Sequence, residues 1–348
     1  MAKKQDKPEA LQELKQAIRA KEPGRLYFFY GEEIFLLNHY LQQLRKVIID
    51  DLTESFNYHK LTSETFDIRQ FADCVENLPM MADSTMVVVD EIDVFKMNES
   101  DREKIVEILA DIPEYCTVVF TYETTTFKPD KRMKKLWDAI NAHGLLVEFT
   151  KQNQRDLITW ITRHFAAAGK RIHPDLCAYL IDITDGTMTS LSGEISKIAA
   201  YSGADEIRKS DIDAVTEPVL DAVVFQMTDL LSQGDYGKAL VKLQQLLKMQ
   251  QEPLAILGAI GGHFRRMATA RTLLDNGKTS GELMRLCGLQ DYPARKTMSA
   301  AGRFGAGFYA KAAELVLESD RQMKTSFDDP KRILEILIMD LAREVRNA

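Results

Sequence analysis

The chain has 348 residues, 45% of them hydrophobic and 28% charged, which excludes wholesale disorder and suits two or three compact domains. Its net charge of −7 is uneven: residues 1–217 hold 27 Lys and Arg against 37 Asp and Glu, and residues 218–348 hold 18 against 15. Charge therefore neither demands nor excludes a nucleic acid partner, while the lack of any apolar run of roughly 18–20 residues excludes a membrane helix.

In chain order, Pro8–Ala20 carries Leu11, Leu14 and Ile18 at helical spacing, and Leu26–Tyr30 reads as a buried strand. Ile34–Ile49 follows as a helix with Leu37, Leu41, Leu44 and Ile48 on one face. Strands are expected at Phe56–Leu61, Met86–Asp90, Thr117–Thr121 and Leu145–Phe149, with helices at Ile68–Glu76 and from an N-cap at Ser100, boxed by Glu103, to about Ile112. Short, nearly all-apolar strands alternating with helices predict a mainly parallel sheet covered on both sides. After Thr150 the strand signals fade. Asp156–Gly169, a helix starting at His173–Pro174, and Ser190–Tyr201 form a small helical domain; from Asp221 onward nearly everything reads as helix, most plainly Lys331–Arg346. The expected domains are 1–149, 150–217 and 218–348.

The segment Met86-Val87-Val88-Val89-Asp90-Glu91 has the form of an ATPase strand that ends in an Mg²⁺-binding Asp and a water-polarising Glu. A buried strand entering an acidic turn gives the same letters. The phosphate loop decides between them, since it needs glycines, a Lys and a hydroxyl around the triphosphate. The loop after the first strand is Gly31-Glu32-Glu33, with no Lys and two carboxylates that repel a triphosphate, and it reads as a solvated turn and helix cap. Gly277-Lys278-Thr279 supplies the right letters in the wrong place, between two helices, where a C-cap followed by an N-cap accounts for it. No catalytic constellation emerges from the six scattered His, and Cys74, Cys116, Cys177 and Cys287 form neither a disulfide framework nor a zinc cluster. With a charged N-terminus that no apolar stretch follows, the expectation is a cytoplasmic protein with no cofactor and no structural metal.

Three segments fit binding rather than catalysis. Leu78-Pro79-Met80-Met81 links a helix to the apolar strand at Met86; its methionines suit an irregular apolar pocket on a partner, or tuck into the core. Lys131, Arg132, Lys134 and Lys135 make a positive run early in a helix, open to a solvated face or to phosphate contact, and a second basic region runs from Arg265 to Arg303.

Taken together, Leu26–Leu37 (LYFFYGEEIFLL), Ser55–Leu61, Leu78–Asp90 (LPMMADSTMVVVD), Ser192–Tyr201, Val224–Leu231, His263–Leu274 and Glu318–Phe327 resemble, in order and spacing, the delta subunit of the bacterial DNA polymerase III clamp loader. Two departures are Gly193, where the family usually has Asn, and Met80-Met81, where an aromatic or Leu is common. The resemblance implies an AAA+-like α/β domain, a small lid-like helical domain and an all-α collar. It implies a subunit of the DNA polymerase holoenzyme that neither binds nor hydrolyses ATP. Its partners would be the beta sliding clamp, the ATPase and delta prime subunits, and primer–template DNA passing through the assembly. The clamp-binding element falls on Leu78, Pro79, Met80 and Met81, now expected to be exposed; Lys131, Arg132, Lys134 and Lys135 are candidates to face DNA. The residues alone also leave open an ATPase with a degenerate phosphate loop, or a stand-alone DNA-binding protein.

Overall fold

The computed structural model describes residues 7–289 and 291–347. They divide into two compact units, one ending at Gln152 and one beginning at Asn153.

The first unit is built on five strands, β1 (Leu26–Gly31), β2 (Tyr58–Leu61), β3 (Thr85–Asp90), β4 (Cys116–Tyr122) and β5 (Gly144–Phe149), ordered β2-β3-β4-β1-β5 and parallel throughout. Its helices are α1 (Lys7–Ala20), α2 (Ile34–Ile48), α3 (Glu54–Asn57), α4 (Ile68–Glu76), α5 (Glu99–Ala110) and α6 (Lys134–His143). Successive strand side chains point to opposite faces, so a strand buried on both sides must be apolar throughout. Leu26, Phe28, Val87, Val89, Val118 and Phe120 join one core with Phe71, Ile105, Leu109 and Ile140 from α4, α5 and α6. Tyr27, Phe29, Met86, Val88 and Val119 join the other, with Leu14 of α1 and Leu37, Leu41 and Leu44 of α2.

Helix ends shift by a residue or two from the expected ones, as at α7 and α9, and two boundaries differ for a visible reason. Phe56 and Asn57 do not open a strand but close the single turn of α3, where the Asn57 side chain turns back onto the Thr53 carbonyl at 3.2 Å. The N-cap of α5 is Asn98 rather than Ser100: its Oδ1 accepts the Asp101 amide at 2.9 Å while Asp101 accepts the Asn98 amide group at 2.7 Å. An Asn N-cap two residues upstream, steadied by a side-chain bond to Asp101, therefore takes the place of the one read at Ser100 and Glu103.

The second unit is entirely helical: α7 (Gln154–Ala167), α8 (Pro174–Ile183), α9 (Met188–Tyr201), α10 (Lys209–Val215), α11 (Leu220–Ser232), α12 (Tyr236–Lys248), α13 (Pro253–Asp275), α14 (Ser280–Cys287), α15 (Asp291–Ala301), α16 (Ala306–Thr325) and α17 (Pro330–Asn347). The short α10 had no sequence expectation. Helices α11 to α17 share one core, in which Leu334, Leu337, Ile338 and Leu341 of α17 meet Val223, Met227, Ile256 and Ile260. Gly277, at φ +64°, follows the C-cap of α13, and Thr279 is the N-cap position of α14, so the Gly-Lys-Thr letters mark a join between helices. Gly193 lies within α9, and nothing in the packing explains it, since an added Cβ would meet nothing within 4 Å. Among the described residues, no helix is long and apolar enough to cross a membrane.

Ile140 is fully buried in the α6 side of the sheet core. Ile140→Ala is expected to destabilise the chain by about 2–5 kcal/mol, measured as a lowered midpoint in urea unfolding.

Candidate functional site

A nucleotide on a doubly wound sheet sits against free amides at the helix N-terminus that follows β1. Here that position is filled from within. Gly31 leaves the strand at φ +131°, and an added Cβ would lie 2.2 Å from the Phe149 carbonyl oxygen, so only glycine fits. The Glu33 amide donates to that same carbonyl at 3.0 Å. Glu33 is not a solvated turn residue as read from sequence: it is only 6% exposed, and burial raises its carboxyl pKa against the pull of the Phe35 amide and the Lys151 ammonium. Lys151 also lies 3.3 Å from the Glu32 carboxylate. The helix start thus already faces a carboxylate of its own chain.

The acidic pair that ends β3 is also engaged. Asp90 accepts the Thr121 hydroxyl at 2.8 Å and lies 2.8 Å from the Lys60 ammonium. Glu91, at φ +64°, accepts the amides of Glu123, Thr124 and Thr125 at 2.5, 2.8 and 2.7 Å and the Thr124 hydroxyl at 2.9 Å. Burial works to raise its pKa, but the hydrogen bonds from Thr125, Thr124 and Glu123 outweigh it and hold it at about 2. Both carboxylates brace the loops at this end of the sheet.

The segment between α4 and β3 has the opposite character. Leu78, Met80 and Met81 are 74%, 54% and 93% exposed, and Met81 holds φ +55°. The core reading of the two methionines is therefore excluded. Asn57, missed by the sequence reading, is 0% exposed beneath this tip; its Oδ1 accepts the Met80 amide at 2.8 Å and its Nδ2 donates to the Met80 carbonyl at 2.9 Å. The partner is 23 residues away in sequence, which no local pattern reveals. Leu52 and Phe56, on the connector that carries Asn57, are exposed as well.

The basic run is differently placed from the expectation. Lys131 and Arg132 lie in the turn before α6 rather than in the helix, and Arg132 pairs with Asp130 at 2.8 Å. Lys134 and Lys135 are exposed in the first turn of α6, where positive charge opposes the helix dipole. In the second unit Arg266, Arg271, Arg285, Arg295, Lys296 and Arg303 are paired with Asp221, Asp275, Glu282, Asp291, Asp182 and Asp229.

The Glu91 shift sets a pH dependence. Because the folded-state pKa lies below the ordinary value of 4.5, its stabilisation is complete above that value and is lost as pH falls toward about 2. The stability gap between wild type and Glu91→Gln is expected to be constant near neutrality and to close across that acid window, read by urea titrations at successive pH.

Comparison with known proteins follows the same division. A family model for the DNA polymerase III delta subunit matches residues 27–150, and one for the C-terminal domain of that subunit matches residues 221–341. The chain is similar to DNA polymerase III subunit delta of Bacillus subtilis, 22% identical over 333 residues that span 94% of this chain and 95% of the relative. It is similar to the probable DNA polymerase III subunit delta of Aquifex aeolicus, 22% identical over 277 residues that span 77% and 76%. The solved structure of the Bacillus subtilis DNA clamp loader delta protein shares its fold at a TM-score of 0.67 and 21% identity, covering 96% of this chain and 99% of that one. The fold is accordingly that of the clamp loader delta structure: a parallel five-stranded α/β unit followed by helices. With both halves matched to one subunit, the chain belongs to the DNA polymerase III delta subunit family, the delta component of the clamp loader.

Proposed function

We propose that this delta subunit binds the beta sliding clamp through Leu78, Pro79, Met80 and Met81 and opens one interface of the ring for loading onto primed DNA. The observation that carries the reading is the exposed Met80-Met81 pair on a tip whose main chain is held in place. Methionine adapts to irregular apolar pockets, and burying each side chain contributes roughly 1.5–3 kcal/mol. A plug that favours the open ring over the closed one shifts the ring's equilibrium by that difference in affinity and by nothing else. Hydrolysis is then left to the ATPase subunits, in keeping with the filled loop at Gly31-Glu32-Glu33 and the braced Asp90 and Glu91.

Residues 150–217 act as the lid-like domain and 218–348 as the collar that holds delta beside the ATPase and delta prime subunits. Exposed apolar side chains in the helical unit, Leu254 of α13, Leu317 of α16 and Ile336 and Met339 of α17, suit such contacts. Primer–template DNA passes through the assembled complex, where Lys131, Lys134 and Lys135 can meet phosphates more readily than the ion-paired Arg132. The paired arginines of the second unit speak against the monomer as a DNA-binding protein in its own right.

Replacing both methionines, Met80→Ala with Met81→Ala, is expected to weaken clamp binding by roughly a hundredfold or more while leaving the thermal midpoint nearly unchanged. Affinity for the cognate clamp by surface plasmon resonance, beside a calorimetric melt, checks both. Wild-type affinity in the double variant overturns the proposal.

A further inference from the structure

An apolar tip in water is not held out by the hydrophobic effect, which favours its collapse onto the body of the protein. Met81 adds a backbone conformation, φ +55°, that residues with a side chain adopt rarely and that surrounding structure must enforce. The enforcing contacts trace back to the sheet unit. Arg45 of α2 stacks over the Tyr58 ring at 4.4 Å and pairs with Glu54, the first residue of α3. At the other end of that turn, Asn57 donates to Thr53 and exchanges two hydrogen bonds with the main chain of Met80. Its carboxamide thereby does for Met80 what a neighbouring strand's peptide group does in a sheet. Fully buried, it has both N–H donors and its oxygen satisfied.

We propose that Asn57 is a positioning residue for partner binding: it pins the Met80 main chain to α3 and so presents Met80 and Met81 outward before the clamp arrives. This rests on the tip being the clamp contact. A contact ordered in advance avoids an ordering cost on association, so the clamp-binding element consists of two segments distant in sequence. A side chain from the first fixes the backbone of the second.

The test measures full-length wild type, Asn57→Ala, Ile140→Ala and the Met80→Ala, Met81→Ala pair against the cognate sliding clamp, at a temperature where each is folded by circular dichroism. Amide hydrogen exchange at Met80 is followed in parallel. Asn57→Ala is expected to lose tenfold or more in affinity and to exchange the Met80 amide faster, whereas Ile140→Ala, a destabilising change in the core, keeps wild-type affinity. Wild-type affinity in Asn57→Ala, or an equal loss in Ile140→Ala, overturns the assignment. If the methionine pair binds the clamp normally, the tip reading itself falls; if that pair loses binding and Asn57→Ala does not, only the role of Asn57 falls. Should Asn57→Ala fail to fold, the wild-type exchange decides, and an unprotected Met80 amide defeats the proposal.

Discussion

Gly31 leaves β1 with its α-carbon against the main chain of Phe149, where no side chain fits. The first amide of the turn is spent on the Phe149 carbonyl, and the carboxylate of Glu33 lies buried at the start of α2. An anion site at a helix N-terminus works because its amides are free and its field is uncompensated. Here the Glu33 amide is already taken and a carboxylate of the chain itself lies at the helix start. The same end of the sheet then uses Asp90 and Glu91 as struts, one paired with Lys60 and Thr121, the other gathering the amides of residues 123–125. Letters that resemble a catalytic pair have become structural parts.

In the proposed function the scaffold devotes its rigidity to presentation. Cores on both faces of the sheet fix α2 and α4, and the short α3 carries that order outward to the tip. In the proposed loader, the work on the ring comes from how differently its open and closed forms fit the tip, and such a difference is realised fully only when the tip has one conformation. The frame and the exposed methionines are in this sense one device.

Much of the architecture was legible because burial on two faces writes continuous apolar runs: Leu26–Tyr30 and Met86–Asp90 read as strands almost to the residue. The reading failed where a distant partner decided the outcome. Phe56 and Asn57 look like the opening of a strand, but Asn57 is drawn to Thr53 and Met80, and the chain turns instead. Ser100 and Asn98 are both competent caps; Asn98 begins α5, its side chain taking the Asp101 amide and donating to the Asp101 carboxylate. Glu33 reads as solvated because nothing local tells that Phe149 closes over that turn. The residues alone leave Met80 and Met81 to a core or to a partner's pocket, and the family resemblance turns the expectation to exposure.

The strand order has a bearing on how the chain is made. β1 pairs on one side with β4 and on the other with β5, so Leu26 meets Val118 and Gly144. During synthesis an apolar strand, Leu26–Tyr30, must wait with both edges bare until β4 has been made, and with one edge bare until β5 follows. Long-range parallel pairing of this kind folds slowly and leaves nascent chains open to aggregation. The sheet can therefore close only after β4 and β5 have both been made, late in the synthesis of the first unit.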